Sequence, residues 1–109
     1  MSSFQTQACL ALLLSGVWLG AAQAGDPVAG KALAAMCVTC HGAVGLSQFP
    51  TAPHLAGQPA IYTVEQLKNY RGGKRQNEMM SVIAKSLSDQ EIKDLAAWYE
   101  SIRISVLSP

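Results

Sequence analysis

Charged residues are absent from the first quarter of the chain and scarce in the rest. Among 109 residues there are eight Lys or Arg and seven Asp or Glu, and the first of these fifteen is Asp26. The formal net charge of +1 is too small for a dedicated nucleic-acid binder, whose surface is usually strongly basic. The length allows one small domain. Although half of the residues are hydrophobic, the uneven distribution of charge indicates that the first quarter and the remainder differ in kind.

The uncharged segment is typical of a secretory signal peptide. An apolar stretch from Ala8 to Ala22 ends in Ala22-Gln23-Ala24, the small-x-small pattern of a cleavage site. The stretch is shorter than the ~20 residues of a membrane-spanning helix, although no Lys or Arg precedes it. We therefore predict a cleaved signal over residues 1–24 and a domain over residues 25–109 in the bacterial periplasm. An uncleaved membrane anchor is the alternative.

Few cysteines remain once the signal is removed. Residues 25–109 retain Cys37 and Cys40, and a chain this short usually needs disulfides, a metal or a cofactor to complete its core. The two cysteines and His41 form a C-x-x-C-H motif, which in an exported protein predicts covalent attachment of a c-type haem. Two thiols three positions apart lie on one side of a helical turn and can each add to a haem vinyl group. The adjacent histidine supplies the proximal iron ligand.

Three other readings of the motif are a disulfide, half of a zinc site and a thioredoxin-like redox pair. Zinc needs two further Cys or His ligands, whereas only His54 remains in the mature chain. A redox pair is expected near a βαβ pattern, and none is visible. The motif occurs once, so we predict one haem.

A second axial ligand has four candidates in the mature chain. Met36 adjoins the attachment motif at the same helix end and cannot reach the opposite haem face. Met79 and Met80 follow a Gly-Gly turn and precede a helix, far enough along the chain to return on the distal side. His54 would give two histidine ligands, but its loop is expected on the proximal side. Met with His is the ligand pair of electron-carrying cytochromes.

The remaining patterns predict helices, since no segment shows sustained two-residue alternation. Asp26-Pro27 is a helix start, Pro59 opens a second helix that stops at Gly72-Gly73, and Ser88 to Glu91 form a capping box. Residues 42–57 hold glycines and prolines without a period and predict a loop. Residues at helical spacing are Ile61, Val64, Leu67 and Tyr70 in the second helix, and Ile92, Leu95, Ala96, Tyr99 and Ile102 in the last.

Five segments carry a resemblance that covers nearly all of residues 25–102. They are GDPVAGKALAAMCVTCHG, APHLAGQ, YTVEQLKNYRGGKR, EMMSVIAKSLSDQEI and DLAAWY. In these five segments the chain resembles class I c-type cytochromes. The resemblance is strongest to short bacterial cytochromes with one haem and to single halves of cytochromes with two haem domains in tandem. The resemblance implies an all-α fold with helices wrapped around one covalently attached haem.

The resemblance also implies roles for residues of the haem pocket. The Pro53 carbonyl would accept the N–H of the proximal His41, Leu55 would pack on the haem, and the spacing back from Leu87-Ser88-Asp89 favours Met80 over Met79 as the distal ligand. The first and last helices would cross where Gly30 and Leu33 meet Leu95 and Trp98. Leu33 stands where many relatives carry an aromatic residue.

Four cations within eight positions have two readings. Lys68, Arg71, Lys74 and Arg75 form either a solvated helix face or a functional patch. In the second reading, Arg75 or Arg71 pairs with a haem propionate, or the patch helps to dock a partner.

This ligand set predicts an electron carrier and not an enzyme, because no residue acts as acid, base or nucleophile. The carrier would dock transiently with redox proteins, without nucleic acid or a small-molecule substrate, and would meet membranes only through partners or an uncleaved signal. One alternative is the cytochrome subunit of a periplasmic dehydrogenase complex, either a flavoprotein or a sulfur-oxidising enzyme, docked through residues 104–107. Another is a ligand-binding haem sensor with a labile sixth iron position.

Overall fold

The computed structural model describes residues 24–108, which form helices and loops and contain no strand. Helix α1 spans Pro27–Leu33 and leads through a 3₁₀ turn, Ala34–Met36, into the short α2, Val38–His41. After a long loop come α3 (Ala60–Gly72), α4 (Glu78–Lys85) and α5 (Asp89–Ser101). The predicted all-α fold is confirmed. Between residues 24 and 108 no helix is both long and apolar enough to cross a bilayer, and the predicted signal, apart from Ala24, lies outside the described residues.

The predicted helix ends are confirmed where local chemistry determines them. The Asp26 side chain accepts a hydrogen bond from Val28 N at 2.8 Å at the start of α1. Ser88 and Glu91 form both hydrogen bonds of the capping box that opens α5. Helix α3 ends at Gly73, whose φ of +82° lies in the left-handed region that glycine adopts without a steric penalty.

Helix α4 begins earlier than the sequence suggested. We expected Met79 and Met80 to precede a helix, whereas both lie in its first turn. The Asn77 side chain accepts hydrogen bonds from Met79 N at 3.1 Å and Met80 N at 2.9 Å. Asn is a strong helix cap, so this residue sets the position of both thioethers.

Helices α1 and α5 cross with their backbones in close contact at Gly30. A Cβ atom built there would lie 1.9 Å from the Asp94 carbonyl oxygen and 2.9 Å from Trp98 Cβ. The predicted contact with Trp98 is therefore confirmed, while Asp94, not Leu95, faces Gly30. Leu95 lies in the adjacent core, against which Leu33 packs.

The core is built mainly from one face of α5. Ile92, Leu95, Ala96 and Tyr99 are buried as predicted, with Ala34, Leu87 and parts of α3 packed against them. Ile61 was expected on the same apolar face of α3 as Val64 and Leu67, but it is 82% exposed. It lies in the first turn of α3, where Ala60 N donates to Glu100 near the end of α5, beyond the apolar cluster.

Candidate cofactor site

A cavity of about 550 Å³ brings the predicted site residues together. Its volume falls within the range of small-molecule and cofactor sites. Its lining comes from Cys37, α2 and the following loop, and from α3, α4 and α5. Among the lining residues are Cys37, Cys40, His41, Pro53, Leu55, Arg75, Met79 and Met80.

The attachment motif occupies a single helical turn. Cys40 N and His41 N both donate to the Cys37 carbonyl oxygen, at 3.3 and 2.9 Å. Both thiols are free, with Cys37 half-buried and Cys40 exposed. Gly42 then turns the chain at φ +83°, where a Cβ would lie 2.1 Å from the Leu46 carbonyl oxygen. Only glycine fits this turn, which folds the loop back toward the motif.

His41 is buried and its orientation is fixed by one hydrogen bond. Its side chain is 7% exposed, and Nδ1 lies 2.8 Å from the Pro53 carbonyl oxygen. Because a carbonyl oxygen only accepts, Nδ1 carries the proton, and the Nε2 lone pair is free for a metal. The hydrogen bond that the resemblance implied is present.

Ser47 ties the loop to the motif, a role that the sequence did not indicate. Its Oγ donates to the Cys40 carbonyl oxygen at 2.9 Å, and its backbone N–H donates to His54 Nδ1 at 2.8 Å. This bond engages one ring nitrogen of His54, which lies in the same loop as Pro53. A lone serine among glycines and prolines does favour local hydrogen bonds, but it does not identify their acceptors.

The methionines line the wall formed by α4. Met79 is 59% exposed, whereas Met80 is half-buried. Met36 is 45% exposed and is absent from the cavity lining. Within residues 24–108 no three His, Cys, Asp or Glu side chains are grouped to hold a metal ion.

A buried hydroxyl without a partner marks the inner end of the cavity. Tyr99 is 3% exposed, and its hydroxyl lies beside the Cys37 thiol but out of hydrogen-bonding geometry. Burial raises the pKa of Cys37, and Cys40 adds to this effect. Buried polar atoms rarely lack partners, so this orphaned hydroxyl indicates that a group outside the polypeptide completes the site. Two thiols, an imidazole and a thioether around an apolar cavity are donors suited to haem.

The two arginines considered for a propionate lie in different places. Arg75 lines the cavity, where its Nη1 donates to Gln66 Oε1 at 2.8 Å and its Cζ lies 4.7 Å from the Tyr70 ring centroid. Arg71 instead donates to the Leu87 carbonyl oxygen at 3.0 Å and pairs with Asp89. Its hydrogen bond is the main cause that lowers the pKa of Asp89, with Lys68 adding to the effect. The position of Arg75 in the cavity lining therefore favours it over Arg71 as the propionate partner.

The sequence did not single out several cavity residues. Ile83 and Leu87 line the wall near the methionines, and Gln66 holds Arg75. Apolar residues in a helix predict burial equally well against protein or against a cofactor. A signal for Asn77 was present, since Asn before Glu-Met-Met is a good cap position.

The chain is similar to known cytochromes. The family model for cytochrome c matches residues 27–103. Cytochrome c4 of Pseudomonas aeruginosa is 41% identical over 106 residues, which cover 97% of this chain and 51% of that protein. Cytochrome c-554(548) of Halomonas halodenitrificans is 42% identical over 81 residues, which cover 72% of this chain and 98% of that protein.

A solved structure has the same fold. Thiosulfate dehydrogenase from Marichromatium purpuratum superposes with a TM-score of 0.68 and 33% identity, over 74% of this chain and 21% of that chain. The present chain spans about half the length of the first cytochrome c4 relatives that it matches.

Proposed function

Because the chain belongs to the cytochrome c family and its cofactor is one haem c, we propose that it carries single electrons between redox proteins in the bacterial periplasm. The observation that carries this proposal is the single cavity that Cys37, Cys40 and His41 line together with Met79 and Met80. Signal cleavage after Ala24 belongs to the same proposal, since it would place the chain in that compartment.

We assign the contacts to the haem as follows. Cys37 and Cys40 would form the two thioether bonds, and His41 and Met80 would ligate the iron, with Met79 as the alternative to Met80. The half-buried position of Met80 and the exposure of Met79 support this choice, since a ligand to an enclosed metal is less exposed than its neighbours. Pro53, Leu55 and Arg75 complete the pocket.

When bound between a histidine nitrogen and a methionine sulfur, haem iron supplies one-electron chemistry and no open coordination position. The protein orients the histidine ligand and surrounds the haem with an apolar environment. Pro53 holds His41 in the tautomer that presents Nε2, and the apolar cavity wall disfavours the additional charge of the oxidised state. Neither role requires a proton-transferring side chain.

The cavity opens at a surface that a partner can reach. Cys40, Tyr62 and Met79 line it and are exposed, so the electron path to a docked protein is short. We expect contacts with redox proteins to be transient, because a carrier must release one partner before it can meet the next.

A second candidate function is the cytochrome subunit of a dehydrogenase complex. It is favoured by the structural similarity to part of thiosulfate dehydrogenase. Purification from native extract separates the two: a free small haem protein indicates the carrier, and comigration with a larger catalytic chain indicates the subunit.

The ligand assignment is tested with visible spectra of the purified haem protein in both oxidation states. We expect a low-spin reduced c-type spectrum and the weak ferric charge-transfer band of methionine ligation. Met80→Ala should abolish that band, and Met79→Ala, the matched control one position away, should retain it. The reverse pattern would assign Met79. Rapid binding of carbon monoxide by the reduced unmodified protein would instead indicate an open iron position and a sensor.

A further inference from the structure

The segment before α1 is pressed against α5. A Cβ atom on Gly25 would lie 2.0 Å from the Lys93 carbonyl oxygen and 3.0 Å from Ala97 Cβ. Gly30 meets the next residues of α5, Asp94 and Trp98, in the same way. Residue 25, which follows the expected cleavage point, is therefore part of the fold and must be glycine.

Hydrogen bonds from this segment converge on a buried carboxylate. Asp94 is 8% exposed, and its Oδ1 accepts from Asp26 N at 2.8 Å and from Gln90 Nε2 at 2.8 Å. The same Gln90 nitrogen also donates to the Ala24 carbonyl oxygen at 3.3 Å. Both groups that reach Oδ1 are neutral amides, and a buried carboxylate is stabilised further by a nearby positive charge.

We propose that removal of residues 1–24 creates that positive charge, because the new α-ammonium group of Gly25 is held on α5 beside the Asp94 carboxylate. This inference rests on the signal cleavage in the proposed function. Three covalent bonds separate Gly25 N from Asp26 N, so the two nitrogens lie within about 3.7 Å. With 2.8 Å from Asp26 N to Asp94 Oδ1, the ammonium lies within about 6.5 Å of the carboxylate oxygen.

Other charged residues near Gly25 and Asp94 belong to α5, to α1 and to the segment before α1. Helix α5 brings Asp94 and Lys93, the terminal segment brings Asp26, and α1 carries Lys31, whose Nζ lies 5.4 Å from the Trp98 ring centroid. The positive end of α1 opposes a cation, but Asp26 already caps it through Val28 N. In an uncleaved chain the same position holds a neutral amide, whose Ala24 carbonyl is bonded to Gln90. The cleaved chain alone gains the ion pair.

The test uses haem-loaded protein produced by export, with intact mass used to locate the amino terminus. Reductive methylation with ¹³C labels the α-amine, and NMR titration then gives its pKa. We expect a value about one pH unit above the usual ~7.7–8.0. Asp94→Asn, which keeps the Oδ1 acceptor, should return it to the usual range. A usual value in the unsubstituted protein would overturn the proposal.

A second variant leaves α5 intact. Insertion of Ala-Ser between Ala24 and Gly25 preserves the cleavage pattern but moves the ammonium about 7 Å along the chain. An amine whose pKa is raised in the folded state stabilises the protein at a pH below the usual amine pKa. This stabilisation is lost as the pH rises through the raised pKa. With the haem reduced, we therefore expect the urea unfolding midpoint to fall further between pH 7 and 10 in the unsubstituted protein than in the insertion variant. Equal losses would contradict the ion pair.

The outcomes of this test separate the two proposals. A mass that places the terminus elsewhere refutes the cleavage and the ion pair together. The visible spectrum of the same sample tests the electron-transfer proposal independently, because haem ligation does not depend on the charge at Gly25.

Discussion

Replacement of Gly30 by alanine tests the crossing of α1 and α5 directly. The added Cβ would lie 1.9 Å from the Asp94 carbonyl oxygen and 2.9 Å from Trp98 Cβ, so α1 must retreat by roughly 1.5 Å before an ordinary contact is reached. Overpacking of this kind costs about 1–3 kcal/mol, and more against backbone. Alanine returns about 1 kcal/mol through its helix propensity. We expect a net loss of about 2 kcal/mol, or roughly 10 °C in Tm for a domain of this size.

The assay is urea unfolding of the purified haem protein, followed by far-ultraviolet circular dichroism. Gly72→Ala is the matched control, because Gly72 also lies in a helix but has no atom within 4 Å of a built Cβ. It should leave the unfolding free energy unchanged or raise it by up to about 1 kcal/mol. If Gly30→Ala were as stable as the control, the close backbone contact between α1 and α5 would be refuted.

Two further predictions concern the ends of α4 and α5. Arg71→Gln removes the hydrogen bond that lowers the pKa of Asp89, so NMR titration should show that pKa rising toward its usual value. A lowered carboxyl pKa gives stability that is lost as the pH falls through it. The unfolding free energy of the variant should therefore depend less on pH in acid. An unchanged Asp89 pKa would contradict the ion pair. Asn77→Ala removes the cap of α4 and should cost about 1 kcal/mol in urea unfolding and speed exchange of the distal ligand for imidazole. Ser86→Ala at the other end of α4 is the control, and equal effects of the two substitutions would argue against a capping role for Asn77.

The sequence determined those parts of the structure that depend on neighbouring residues. The cap at Asp26, the capping box at Ser88 and the stop at Gly73 involve residues within four positions of each other, and all three are present. The attachment motif is also local, so one helical turn suffices to place Cys37, Cys40 and His41.

Features that depend on distant contacts were less accessible. Ile61 has the right helical spacing, but its exposure depends on where α3 meets α5. Arg71 lies in the last turn of α3 and Arg75 in the bend after Gly73, and contacts with Leu87 and Asp89 turn Arg71 away from the cavity. Spacing alone contains no information about such partners.

The pairing of the first helix with the last has a consequence for how the chain is made. The hydrogen bond between Asp26 and Asp94 joins residues 68 positions apart, so the fold has high contact order around its principal helix crossing. A chain that leaves the ribosome amino end first cannot close this loop until α5 has been synthesised. Until then α1 has no surface to pack on, and the thiols that follow it stay accessible. Late closure thus leaves the two thiols open to covalent modification until the last helix has been made.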